Sequence, residues 1–206
     1  MSNPTPSPAA PSDAEHTTSA RLGAVLFRNR SWLPVPFLVV ALLAPAQPGP
    51  GNWILGAVLI ALGEWIRLAG VAAAGTVTRR RSRDVQRLVT YGIFRWVRNP
   101  LYVGNFFIWM GFVVISGVMW FLPIAIVLFA IEYTLIVSYE EGVLESIFGK
   151  EYLDYKLTTS RWVPSPPKQR ERGQHDWGEA WKSEISTFMQ YAALVVVFVL
   201  KQKFWR

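Results

Sequence analysis

"LYVGNFFIWMGFVVISGVMWFLPIAIVLFAIEYTLIV", residues 101–137, is a run of 37 residues in which Glu132 is the only acid or base besides the tyrosines. About 20 helical residues, each rising about 1.5 Å, cross the hydrocarbon of a bilayer. The run is therefore too long for one crossing, and Ser116-Gly117 is its natural break into a hairpin of two helices. Upstream, residues 76–100 carry seven arginines, and before them Trp53–Gly75 is long enough to cross. An earlier apolar block, Trp32–Ala46, stops in the turn "PAQPGPGN" and pairs with it as a second hairpin. Arg21, Arg28 and Arg30 then share a side with the arginine-rich loop, and the bias of basic loops places both in the cytoplasm.

Downstream of the run, Glu140, Leu144 and Phe148 repeat at helical spacing, so the fourth helix is expected to project past the membrane surface and stop at Gly149. Ile185–Leu200 is apolar but short, and basic residues follow it. It reads as a fifth span on apolar density, with an interfacial helix as the alternative. The expectation is an all-α, polytopic transmembrane bundle of about five membrane helices, to which the resemblance given below adds a cytoplasmic cofactor pocket. Its parts are a disordered tail at 1–24, a membrane core at 25–165, a polar linker at 166–184 and a C-terminal membrane or interfacial helix at 185–206.

Composition agrees: 51% of the 206 residues are hydrophobic and 17% charged. The net charge of +7 sits in loops between apolar blocks, which favours membrane topology over nucleic-acid binding. Without cysteine there is no thiolate nucleophile, and the two histidines, His16 and His175, lie in polar flanks, so no metal site is expected.

The chemistry-bearing residues gather where the basic loop meets the long run. Asn is a favoured N-cap and Pro a favoured first helical residue, so Asn99-Pro100 marks a helix start. Such an end presents unpaired N–H groups and partial positive charge to an anion, with Arg95 and Arg98 just before it. Gly104 allows another backbone or a flat ligand to come close. Glu140 and Glu141 point about 100° apart on a helix, so one can face a pocket while the other ties to a neighbouring segment. In a hairpin this acidic pair returns beside the capped, basic end, an arrangement suited to a ligand with both ammonium and carboxylate. Glu64 and Arg67 read first as a structural pair within their helix. Glu132 either lines the inner end of a cavity or makes a polar contact between helices.

"LVTYGIFRWVRNPLYVGN" (88–105) and "EEGVLESIFGKEYLDYKLTTSRWVP" (140–164) resemble, in order and spacing, the two hallmarks of the integral membrane methyltransferases. That family includes isoprenylcysteine carboxyl methyltransferase and the phosphatidylethanolamine or phospholipid methyltransferases. The resemblance implies S-adenosyl-L-methionine as methyl donor and a lipid or other lipophilic acceptor entering from the bilayer, in a bacterial-type inner membrane with the site facing the cytoplasm. Carried onto this chain, it implies donor contacts from Val89, Thr90, Gly92, Asn99, Pro100, Tyr102, Gly104, Glu140 and Glu141. Catalytic roles fall to Glu141, Asn99 and Arg98, and acceptor contacts to Arg161, Trp162 and Glu132. One departure matters: Asn99 stands where the family pattern has His, and an amide cannot act as a base near neutral pH. The rival readings are an NADPH-dependent sterol-type membrane reductase and a non-catalytic membrane scaffold.

Overall fold

The break anticipated in the long apolar run at Ser116-Gly117 is a glycine turn. Described in a computed structural model are residues 18–75, 87–167 and 173–204. Among them all regular structure is helical: α1 Thr18–Arg28, α2 Pro34–Leu43, α3 Pro50–Ala74, α4 Pro100–Ser116, α5 Leu122–Phe148, α6 Lys150–Thr158 and α7 Trp177–Phe204. Single 3-10 turns at Gly92–Arg95 and Met119–Phe121 precede α4 and α5. Gly117 closes α4 at φ 76°, in the left-handed region that glycine enters without steric penalty.

Among the described residues, three helical stretches are long and apolar enough to cross a bilayer: Pro50–Ala74, Met119–Phe148 and Trp177–Phe204. With 17 residues α4 spans about 25 Å. The block expected to cross at Trp32–Ala46 instead forms α2, whose 10 residues reach only about 15 Å. Upstream lies a second short helix, α1, and the turn Asn29–Leu33 separates the two. The tail expected over 1–24 is thus helical from Thr18, because Gly23 lets α1 settle against the Leu135 carbonyl of α5. Residues 1–17, His16 included, lie outside the described residues.

The α3–α4 seam is built on absent side chains. A Cβ on Gly63 would come 2.5 Å from the Gly104 carbonyl oxygen, and one on Gly104 would come 2.6 Å from that of Gly63. Gly56 and Gly111 repeat the arrangement at 2.7 and 2.8 Å. Small residues at matched spacing let two helix backbones touch, which is how packing substitutes for hydrophobic association in a bilayer. Next to this seam α2, α4 and α5 bury an aromatic core in which Trp109 meets Phe37 (4.7 Å between ring centres), Phe129 (5.1 Å) and Tyr133 (5.6 Å).

The C-terminal helix, read as a span or an interfacial helix, is long and apolar enough to cross, and α7 runs antiparallel to α3 from end to end. At one end the Asp176 N–H donates to the Ala72 carbonyl (2.9 Å). At the other, Trp53 Nε1 donates to Gln202 (3.2 Å) and Gln202 to the Pro48 carbonyl (3.0 Å). The buried Lys201 ammonium donates to the Ala41 carbonyl at the end of α2 (2.6 Å). The helix also starts at Trp177, inside the linker expected over 166–184. Its polar first turns are held because Glu184, fully buried, reaches the Arg67 guanidinium of α3 at 3.1 Å.

Candidate functional site

A cavity of about 790 Å³ opens where the C-terminal ends of α3 and α5 and the start of α4 meet α1 and α6. Its wall takes Asn99, Pro100 and Tyr102 from the start of α4, and Glu140, Val143 and Leu144 from the end of α5. Tyr152 and Tyr155 enter from α6, and Leu88 and Val89 from the loop before α4. Seven aromatic rings face it: Phe27, Phe94, Tyr102, Tyr133, Tyr139, Tyr152 and Tyr155. Five arginines, Arg28, Arg30, Arg67, Arg87 and Arg98, share the wall with these rings; a cavity of this size suits a cofactor-sized ligand, the arginines attract anions and the aromatic faces attract cations.

The backbone carries the helix start at Asn99. Its carbonyl accepts from the N–H groups of Tyr102 and Val103 (3.1 Å each), while its side chain donates to the Arg161 carbonyl (3.2 Å). Asn99 therefore does not cap α4 through its side chain. It stitches that helix to the loop after α6. Arg98 extends the same stitch: its N–H donates to the Ser160 carbonyl (2.9 Å), and Nη1 donates to the carbonyls of Lys156 (3.0 Å) and Thr159 (2.6 Å).

The acidic pair divides its work. Glu141 is buried, accepting from Arg98 Nε (3.1 Å) and Nη2 (3.0 Å) and from Arg161 Nη2 (2.5 Å). Glu140, one residue earlier and about a quarter turn round the helix, faces the cavity and meets the Tyr102 phenol across α4 and α5. On α6, burial pushes the Tyr152 phenol up, so that it enters the wall as a protonated ring. Tyr155 donates to the Phe94 carbonyl (2.7 Å), holding the 3-10 turn against α6.

Several residues singled out in the sequence stand elsewhere. Glu141, Thr90, Gly92, Gly104, Arg161, Trp162 and Glu132 do not line this cavity. Gly104 is occupied with the α3 backbone, and Gly92, at φ 64°, lies under the His175 ring. Trp162 packs on the aromatic core. Glu132 is half-buried, with one carboxylate oxygen lacking a partner among the described residues. Glu64 and Arg67 are paired (3.6 Å) but within a larger network: Arg67 also donates to Asn105 (2.6 Å) and Glu184 (3.1 Å), and Tyr191 donates to Glu64 (3.1 Å).

The wall also contains residues outside both motifs, Arg30, Arg67, Tyr133 and Tyr139, and Asn105, the last residue of the first motif, to which no role was assigned. In the sequence Arg30 reads as a topology charge and Arg67 as half of a local pair. The one available signal was the presence of charged groups among apolar residues, a default mark of function in a membrane helix.

Residues 52–151 match the family profile described as "Phospholipid methyltransferase". Among curated proteins, the chain is 33% identical over 122 residues to "Protein-S-isoprenylcysteine O-methyltransferase A" of Arabidopsis thaliana, covering 54% of this chain and 60% of that protein. It is 33% identical over 117 residues to "Protein-S-isoprenylcysteine O-methyltransferase" of Mus musculus, and 32% over 123 residues to the Homo sapiens protein of the same name. Those matches cover 53% and 54% of this chain and 40% of each relative, so the chain spans about half the length of the curated relatives it matches. No solved structure matches it significantly. From Asn52 in α3 to Glu151 in α6, this chain is similar to the phospholipid methyltransferase family, and its curated relatives are isoprenylcysteine methyltransferases.

Proposed function

We propose that this chain transfers a methyl group from S-adenosyl-L-methionine to a lipophilic acceptor embedded in the membrane, with the large cavity open to the cytoplasm. The observation that carries this reading is the meeting of both family hallmarks in one aromatic-walled cavity holding a carboxylate, Glu140. The residues fit the donor. Glu140 suits its ammonium, the tyrosine faces suit a sulfonium and a flat base, and the N-terminal end of α4 suits its carboxylate. The donor supplies a methyl already activated on positive sulfur, so the protein's part is to position, orient and exclude water.

Within that division, Arg98, Glu141 and Arg161 act as positioning residues. Their buried pairing fixes the start of α4 against the end of α5, which sets Tyr102 opposite Glu140. Asn99 moves no proton. A carboxylate acceptor needs no base, since its nucleophile is already ionised; an amine acceptor does need one, and Glu140 is the carboxylate that lines the cavity. The acceptor is an isoprenylcysteine carboxylate-like group, a phospholipid amine or another small amphiphile; Arg161, bound to Glu141, and Trp162, packed on the aromatic core, support its site from behind the wall.

Calorimetric titration of the purified chain with S-adenosyl-L-methionine and with its demethylated product tests the site, and label transfer into a lipid extract tests the activity. Binding that weakens at least about tenfold in Glu140→Gln supports the assignment. Unchanged affinity in that variant, or tight binding of NADPH in place of the methyl donor, overturns it.

A further inference from the structure

A second cavity, of about 230 Å³, lies between α2, α4 and α7. Its wall is mostly apolar, including Pro34, Phe37, Ile108, Trp109, Phe112 and Leu194. It shares four residues with the larger cavity, Arg30, Arg67, Asn105 and Tyr133, so the two meet at a polar junction. That junction lies inside the helices. Arg67 is seven residues from the end of α3 and Asn105 five from the start of α4, about 7–10 Å along each axis.

The two arginines at the junction differ. Arg67 is engaged by Asn105, Glu184 and Glu64. The Arg30 guanidinium donates no hydrogen bond among the described residues; it lies over the Phe27 ring at 4.3 Å and acts only through space on Glu140, Tyr102 and Tyr133. Arg30 sits in the turn between α1 and α2 and reaches the wall common to both cavities, beside Arg67 and Asn105. A half-buried guanidinium with free donors at a cavity junction carries a desolvation cost that an anionic partner removes. Arg30 also precedes the family-matched region, so it is a feature of this chain rather than of the matched core.

We propose that Arg30 is a specificity-determining residue that holds the anionic group of the acceptor at the junction, with the acceptor's apolar chain in the smaller cavity. The proposal rests on the methyl-transfer reading and deepens it. The acceptor class is an anionic amphiphile, carboxylate or phosphate, whose charged end stops beside Arg30, next to the aromatic wall of the larger cavity. Arg30 binds one oxygen of that end and leaves the remainder of the head group free toward the donor.

The test uses the full chain in phosphatidylcholine nanodiscs, labelled S-adenosyl-L-methionine and four hexadecyl probes that share one tail: a carboxylate, a phosphate monoester, an amine and an alcohol. Arg30→Gln should raise KM about 10- to 100-fold for the anionic probes and leave the neutral alcohol and the amine unaffected. Donor affinity should stay within about twofold, and Arg30→Lys should recover part of the loss. The carboxylate and phosphate arms separate the two sources of the anion. A donor affinity that falls in parallel would place Arg30 on the donor and overturn the proposal, as would equal losses for all four probes. Displacement of a fluorescent fatty acid, measured without donor, keeps the two readings apart. A wild-type chain that binds the carboxylate probe through Arg30 but transfers no methyl overturns the methyl-transfer reading alone.

Discussion

Neutralising Glu141 and neutralising Glu140 should produce opposite phenotypes, although the residues are adjacent. Glu141 and Arg98 have side-chain exposures of 4% and 9%, and Glu141 is also bonded to Arg161. In Glu141→Gln the new amide NH2 faces guanidinium donors, and Arg98 is left with no anion at a buried site. Breaking a buried pair from one side costs about 3–5 kcal/mol. At about 2–4 °C per kcal/mol for a chain of this size, the apparent Tm in detergent should fall by about 6–20 °C. Glu140→Gln changes only the cavity wall, so its Tm should stay within about 2 °C of wild type while donor affinity drops at least about tenfold. Thermal unfolding followed by intrinsic tryptophan fluorescence, with calorimetry on the same preparations, reads both quantities. A Glu141→Gln chain of unchanged Tm that no longer binds donor would reverse the assigned roles and refute the reasoning.

Three further outcomes are expected. Tyr91→Phe removes a hydroxyl lying 2.6 Å from the Ala73 carbonyl and 3.1 Å from that of Gln174; limited proteolysis at residues 173–176 should quicken while α3 stays protected. Lys201→Met leaves the Ala41 carbonyl without its donor and should lower stability by about 1–3 kcal/mol, measured as a shift in unfolding midpoint. Trp109→Ala empties the centre of the aromatic core and should cost about 3–5 kcal/mol, with a near-ultraviolet circular dichroism signal reduced well beyond the loss of one chromophore.

Local grammar made the core of the fold legible. Asn99-Pro100 starts α4, Ser116-Gly117 ends it and Gly149 follows the end of α5, each through proline or glycine chemistry that needs no distant partner. The parts that were not legible depend on one. Thr18–Arg28 carries no proline or glycine signal strong enough to separate a short helix from a tail, and its docking depends on Gly23 meeting a carbonyl 112 positions away, at Leu135. Likewise the polar stretch Trp177–Glu184 looks like linker until Arg67 gives Glu184 a place inside. In the site, helical geometry dictated that Glu140 and Glu141 part company. Which of them turned inward was decided by Arg98 and Arg161, and nothing in the local sequence says where those guanidiniums go.

The touching glycines of α3 and α4 also govern how this chain can vary. The smallest change open to any of the four is a methyl group, which in every case would meet a backbone oxygen of the opposite helix. Accommodating it means moving whole helices apart, and Arg67 and Asn105 lie four residues and one residue along from Gly63 and Gly104. The 2.6 Å bond between Arg67 and Asn105 would be among the first to lengthen, and with it the wall common to both cavities. Drift at the seam would therefore reach the partition between the two cavities directly, so four positions without side chains set the shape of a wall that none of them lines.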